Sequence, residues 1–268
     1  MVLKNNDENG IFSCLANPLR LQILDVLQKN PLRIAKLAET LGITIQALHR
    51  HVDKLSDAGL IIRDTDGNFT TSSTGEVLLV QIPTFLFLSK YKNYFSDHTF
   101  SGIPKNLIQR LGELYNCEFI EEHVQAWQRA KDHVVNTEKF LYGMSNMMPN
   151  EFYFVAKELL SKGVCFKILF SENMIVPKGC LKIRKETGWV DAISDGRVEE
   201  LYTKHLPLTN VINENAGEIL FASKKTDEVD GGSLFYSKEP EFRRWCLDLF
   251  DHYWNNVQKV NSVKFQEV

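Results

Sequence analysis

Apolar residues at Leu15, Leu19, Ile23, Leu24 and Leu27 recur every three or four positions, the spacing of one buried helical face. Asn17-Pro18 marks a break and a restart, so the segment is one bent helix or two. Ile34, Leu37 and Ala38 mark a second short helix over 32–40, turned by Gly42. Thr44 caps a third over 45–57, with Leu48, Val52 and Leu55 inward and Gly59 as its stop. The runs LIIR and FTTS then flank DTDGN, whose Asp66-Gly67 pair is a hairpin turn signal. The predicted order is helix, helix, helix, hairpin.

Beyond residue 74 the pattern changes scale. A strongly apolar helix is predicted from Thr74 to about Phe95, and the polar stretch SDHTFSGIP places a domain boundary near residue 100. Helical segments follow over 104–114 and 122–136. The apolar run KFLYGMS, a helix over 149–162 and the run VCFKILF then form a right-handed βαβ unit. Further strands are expected at HLPLTNVIN, GEILFAS and GSLFYS, and a last helix over 239–257. The fold class expected is α+β or α/β: a winged helix-turn-helix domain over 1–75, a linker and dimerisation helix over 76–100, and an α/β sensor domain over 101–268.

Composition narrows this little. The 268 residues carry a net charge of −3 and are 44% hydrophobic, enough for a core in each of two domains. Nucleic-acid contact must therefore be local. The five cysteines form no CxxC pair, which argues against a disulfide scaffold or a zinc ribbon and fits a reducing cytoplasm. The longest apolar run, near Val77 to Leu88, is broken by Gln81, Pro83 and Thr84 and is too short to span a bilayer. A cytoplasmic protein is expected.

The helix over 45–57 carries His49, Arg50 and His51 in succession. Residues two apart on a helix diverge by roughly 200°, so His49 and His51 cannot share a metal ion. His51 falls beside the buried stripe and is a packing residue. Thr44, Gln46, His49, Arg50 and Asp53 lie outward, and such a face near a helix N-terminus can read base edges and phosphates in a major groove. Helix, turn, helix and a two-stranded wing supply groove and backbone contacts from separate elements. Between Lys29 and Lys54 five cations face only Glu39 and Asp53, which gathers positive charge on that side. The candidate DNA-contacting residues are Arg33, Lys36, Thr44, Gln46, His49, Arg50, Lys54, Arg63 and Asn68.

The segments NPLRLQILDVLQ, LAETLGIT and ALHRHVDKLSDAGLI resemble the DNA-binding half of ArsR-type regulators over about 65 residues. Metal-sensing members carry paired cysteines there, whereas this sequence has Cys14 alone, which puts metal sensing by that route in doubt. The tail is similar to archaeal regulators that join an ArsR-like winged helix to a methanogenesis-regulatory sensor domain. Asp230, Phe242, Trp245, Asp248, Leu249, Phe250, Tyr253 and Trp254 fill the positions of its Asp-containing turn and F-x-x-W-x-x-D-L-F-x-x-Y-W motif. IPKNLIQRLGEL and GVCFKILFS extend the likeness over most of the chain. Departures are Lys224-Lys225-Thr226-Asp227 in place of a short Gly-containing turn and Glu239 before Pro240. The resemblance implies an archaeal one-component regulator.

Phe242, Trp245, Cys246, Leu249, Phe250 and Tyr253 form a stripe that packs as core, with Trp254 off it. The βαβ unit also resembles a phospholipase D half-repeat, whose chemistry needs an HxK pattern. None of the seven histidines has a lysine two positions on, and no G-x-S-x-G or H-E-x-x-H is present. No enzyme, cofactor or metal is expected. The expected function is a sequence-specific, homodimeric transcription regulator that binds a palindromic DNA operator and responds to a small-molecule effector. The alternative is a constitutive DNA-bound dimeric scaffold whose second domain recruits a protein. Ligands of open α/β sheets gather beyond the carboxyl ends of parallel strands, so Ser145, Asn146, Ser171 and Asn173, in loops after two predicted strands, are candidate effector contacts together with Trp254.

Overall fold

The computed structural model describes residues 6–226, 229–257 and 266–267. The chain divides into two compact units, Met1–Phe85 and Leu86–Val268. The fold is α+β: a helix-turn-helix unit followed by a mixed α/β unit.

In the first unit α1 (Asn6–Leu15) and α2 (Pro18–Lys29) are separate helices. Asn17 caps α2 by accepting the Arg20 amide, with Pro18 at the first helical position. The side chain of Arg20 is buried and donates to the carbonyls of Cys14 (2.8 Å) and Ser13 (2.6 Å), satisfying the end of α1. Then come α3 (Ile34–Leu41), closed by Gly42 at φ 65°, and α4 (Ile45–Asp57), capped by Thr44. Strands β1 (Ile61–Arg63) and β2 (Phe69–Thr71) form the antiparallel wing. Ile23, Leu24, Leu27, Leu37, Leu48, Val52, Leu55 and Leu60 close the core.

Helix α5 (Ser73–Lys90) starts under tight constraint. The Ser72 hydroxyl accepts the Gly75 amide and donates to the Gly59 carbonyl at 2.6 Å, while the Ser72 amide donates to the Leu60 carbonyl. A Cβ on Gly75 would stand 2.2 Å from that Leu60 oxygen, so no other residue fits there.

His51 is buried on α4 and its Nδ1 has no hydrogen-bond partner among the described residues. Burial first, then the positive charges of Arg20, Arg50 and Lys54, push its pKa below the ordinary 6.5. The unfolded chain therefore binds this proton more readily. The resulting sign is definite: stability is full above 6.5 and is lost as pH falls through the depressed folded value. Lowering pH from about 7 to about 5 should reduce the urea midpoint of the chain more than that of His51→Leu. Equal pH dependence in the two proteins would contradict it.

The second unit takes in the end of α5, then α6 (Tyr94–Asp97), α7 (Lys105–Ile108) and a 3-10 turn (Leu111–Leu114). The segment expected to be one helix over 104–114 is thus two short turns. Next come β3 (Glu118–Ile120), α8 (His123–Val135), β4 (Phe140–Met147), α9 (Asn150–Ser161) and β5 (Cys165–Val176). They are followed by α10 (Cys180–Glu186), α11 (Trp189–Ser194), β6 (Val198–Thr203), β7 (Leu208–Asn213), β8 (Gly217–Phe221), β9 (Leu234–Ser237), α12 (Pro240–Asn256) and β10 (Gln266–Glu267).

One eight-stranded sheet runs in the order β10-β5-β4-β7-β8-β9-β3, with β6 also paired to β5. The pairs β4/β5, β5/β6 and β5/β10 are parallel and the others antiparallel. The α12 stripe Phe242, Trp245, Cys246, Leu249 and Phe250 covers one face against Met144, Leu169, Ile212 and Ile219. Trp245 Nε1 also donates to the Leu107 carbonyl, so the buried indole leaves no orphan donor. Helices α8 to α11 cover the other face, with Tyr153, Phe166, Phe170 and Trp189 at the centre of its core. Among the described residues no helix is long and apolar enough to cross a membrane.

Candidate nucleic-acid interface and a cavity in the C-terminal unit

On α4 two faces separate cleanly. Leu48, His51, Val52 and Leu55 are buried, and Gln46, His49, Arg50, Asp53 and Lys54 are exposed. The Thr44 hydroxyl accepts the Ala47 amide at 3.2 Å, so it caps the helix, as the sequence indicated; that leaves the other orphan amides of the first turn for solvent or a phosphate. Arg50, His49 and Gln46 lie within one turn of each other on the open side, none with a side-chain hydrogen bond among the described residues.

The remaining candidates are tied into local structure to different degrees. Arg33 is exposed at the N-cap position of α3. Lys36 is exposed and pairs with Glu39 at 2.9 Å, a surface ion pair easily exchanged for another anion. In the wing, Asp64 accepts the amides of Asp66 and Asn68 and the Asn68 side chain at 3.0 Å. The Asn68 hydrogen bonds are the first cause that holds the Asp64 carboxyl below its usual range. The Asn68 side chain thereby shapes the wing tip. Arg63 extends along the wing, with Nε 3.4 Å from the Gly67 carbonyl and its guanidinium 5.6 Å from the Phe69 ring centroid.

The expected effector residues do not form one site. Ser145 and Asn146 are within β4, and Ser171 and Asn173 are within β5; the strands run on past the predicted loops because a bulge between Ser145 and Met147 absorbs a register change. The Ser145 hydroxyl closes that bulge, donating to the Met147 carbonyl at 2.8 Å and accepting its amide. Asn146 has a buried Oδ1 with no partner among the described residues. The Ser171 residue is buried and alternates with Phe170, so it belongs to the α12 face of the sheet. The Asn173 side chain lies outside the described residues. Trp254 also belongs to the α12 face, stacked on Phe250 at 5.3 Å with Lys167 over its ring.

A cavity of about 220 Å³ does exist on the opposite face, under α8 and α9. Its floor is the sheet itself, including Leu141, Gly143, Ser145, Ile168, Thr209, Val211, Glu218 and Leu220. Its walls are Ala126, Trp127, Ala130, Lys131 and Val134 from α8, and Glu151, Phe152 and Val155 from α9, with Met147 at the end of β4 and Met148 just after it. Of the expected effector residues whose side chains are described, Ser145 lines it and Asn146, Ser171 and Trp254 do not. The sequence reading passed over Glu218, although an acid at an inward position of GEILF, in phase with Leu220, is the signal that could have found it. Among the described residues no group of three or more His, Cys, Asp or Glu is placed to hold a metal ion.

A buried apolar stripe, an exposed polar face and a hairpin wing make the first unit a DNA-binding winged helix-turn-helix. Residues 15–64 match the helix-turn-helix domain family. Over 103 residues, 38% of this chain and 79% of the relative, it is 31% identical to the nodulation protein NolR of Rhizobium meliloti. The chain belongs to the NolR-like, ArsR-type family of helix-turn-helix transcription regulators. It is also 40% identical over 50 residues, 19% of this chain and 53% of the relative, to an uncharacterized HTH-type transcriptional regulator of Methanocaldococcus jannaschii. Among solved structures, the archaeal chromatin protein TrmBL2 aligns with 96% of this chain and 100% of its own, at 13% identity and a TM-score of 0.41.

Proposed function

We propose that the protein is a one-component transcription regulator that binds a palindromic operator as a two-fold dimer and answers to a small molecule held in its C-terminal unit. The observation that carries the DNA reading is the open face of α4, with Gln46, His49 and Arg50 exposed and without a side-chain partner among the described residues, opposite a buried stripe. In this role α4 enters the major groove, Arg50, Gln46 and His49 reach bases or phosphates, and Arg33, Lys36, Lys54 and Arg63 flank them along the backbone. Asn68 acts by holding the wing. The cavity favours a sensor over a scaffold, because a concave, mostly apolar recess with a few polar groups is the usual form of a small-molecule site.

Arg50→Ala is expected to weaken operator binding by roughly 1–3 kcal/mol while leaving the melting curve unchanged. A fluorescence titration against an operator found by genome-wide footprinting checks this. Unchanged affinity would remove α4 from the interface.

A further inference from the structure

The cavity floor contains one row crossing four neighbouring strands: Ile168 on β5, Gly143 on β4, Val211 on β7 and Glu218 on β8 are register partners in turn. Adjacent strands lie about 4.8 Å apart, so Gly143 and Glu218 are separated by roughly 10 Å. At Gly143 the floor is bare: a Cβ there would meet nothing closer than 3.6 Å, and a longer side chain would grow into the void. At the far end stands a buried acid. Glu218 is 3% exposed, and its Oε2 is 3.0 Å from Nδ1 of the equally buried His133. Oε1 accepts no hydrogen bond from the described residues, and Nε2 of His133 is also without a partner among them.

These observations fix size and chemistry together. An apolar cavity of about 150 Å³ holds a benzene ring, so about 220 Å³ takes a ring or branched hydrocarbon with a short arm. Apolar walls at Trp127, Val134, Phe152 and Val155 suit that body. Lys131 and Glu151 also line the pocket but are exposed, whereas the buried Glu218 carboxylate, among mostly apolar neighbours, is left short of compensation by a single hydrogen bond, and a cationic donor supplies what is missing. We infer that the cavity is the binding site for a small apolar amine, its hydrocarbon body over Gly143 and its ammonium group donating to Glu218. This assignment rests on the sensor reading above and names the effector class for it.

Calorimetric titration of the full chain with phenethylamine, phenethyl alcohol and phenylacetate, three probes on one skeleton, tests it. The amine should bind, the alcohol should bind about tenfold more weakly, and the acid should show no binding. Glu218→Gln should bring the amine down to the alcohol's affinity and leave the alcohol unchanged. Gly143→Leu, which fills the floor, should remove both, and it carries the test if Glu218→Gln fails to fold by circular dichroism. Failure of all three probes to bind, acid binding as tight as amine binding, or amine binding indifferent to Gly143→Leu would each overturn the site. Operator affinity with and without saturating phenethylamine separates this from the sensor role: tight amine binding with unchanged DNA affinity keeps the site and refutes the sensor.

Discussion

Replacing Val77 and Val80 together by aspartate should give a folded monomer whose affinity for the full operator is about one-hundred- to ten-thousand-fold lower. The range is the avidity lost when two linked half-site contacts become one. Val77 and Val80 lie three residues apart on α5, hence on one side of the helix, and are 65% and 68% exposed. Leu78 and Leu79, by contrast, pack against the core of the N-terminal unit. The start of α5 therefore has an apolar inner side and a second apolar side that is exposed among the described residues. Self-association about a two-fold axis would cover the same patch on both copies at once and, in the proposed dimer, would set the two copies of α4 about 34 Å apart. Light scattering reads the monomer directly, and affinity for an isolated half-site should not change, since no DNA-facing residue is altered. A wild-type chain that is monomeric at micromolar concentration, or a double variant that binds the palindrome as tightly as the parent, would refute the dimer.

The second large effect is on stability. Glu200 on β6 is the hub of a buried network: its carboxylate accepts Arg184 Nη2 at 2.7 Å, Trp189 Nε1 and the Tyr202 hydroxyl at 2.9 Å, while Arg184 Nη1 also donates to Tyr153 at 3.1 Å. The Arg184 and Glu200 side chains are 7% and 5% exposed. Glu200→Ala removes the buried carboxylate that accepts from the Arg184 guanidinium, the Trp189 indole and the Tyr202 phenol. Breaking a buried pair in this way costs about 3–5 kcal/mol, and for a unit of this size each kcal/mol lowers Tm by about 2–4 °C. Scanning calorimetry should show the difference plainly. Arg184→Met with Glu200→Gln removes both charges and keeps an acceptor for Trp189 and Tyr202, so it should lose less than Glu200→Ala alone. A single variant within about 1 kcal/mol of the parent would show that water reaches the site and takes over the lost contacts.

Local signals marked some elements and missed others for reasons visible in the structure. Helix α4 begins after Thr44 and ends before Gly59 as read from the sequence, because cap, stripe and stop are all local. The wing followed from Asp66-Gly67, and α12 from its aromatic stripe. Strand β6 was not seen: VEELYT carries Glu199 toward Lys167 on one face and Glu200 toward Arg184 on the other, so charge masks its alternation. Helices α10 and α11 are seven and six residues long and each starts at a glycine with positive φ, too short for a periodicity to register. The strands β4 and β5 were read as ending where hydrogen-bonding residues appear, whereas the bulge carries them onward. The cavity was illegible in principle, since its floor joins Gly143, Val211 and Glu218 from three strands, and only the register brings them together.

The Ser72–Gly75 junction makes α5 a lever clamped at its near end. With Gly75 seated against the Leu60 carbonyl, that end has no clearance in which to pivot at the corner between α4 and β1. Compliance sits further out, at Pro83, where the missing N–H removes the bond to the Leu79 carbonyl and a bend meets the least resistance. Stiffening the shaft there and loosening the clamp are thus separate adjustments: Pro83→Ala should restore the missing helical hydrogen bond, and saturation of position 75 should return glycine alone.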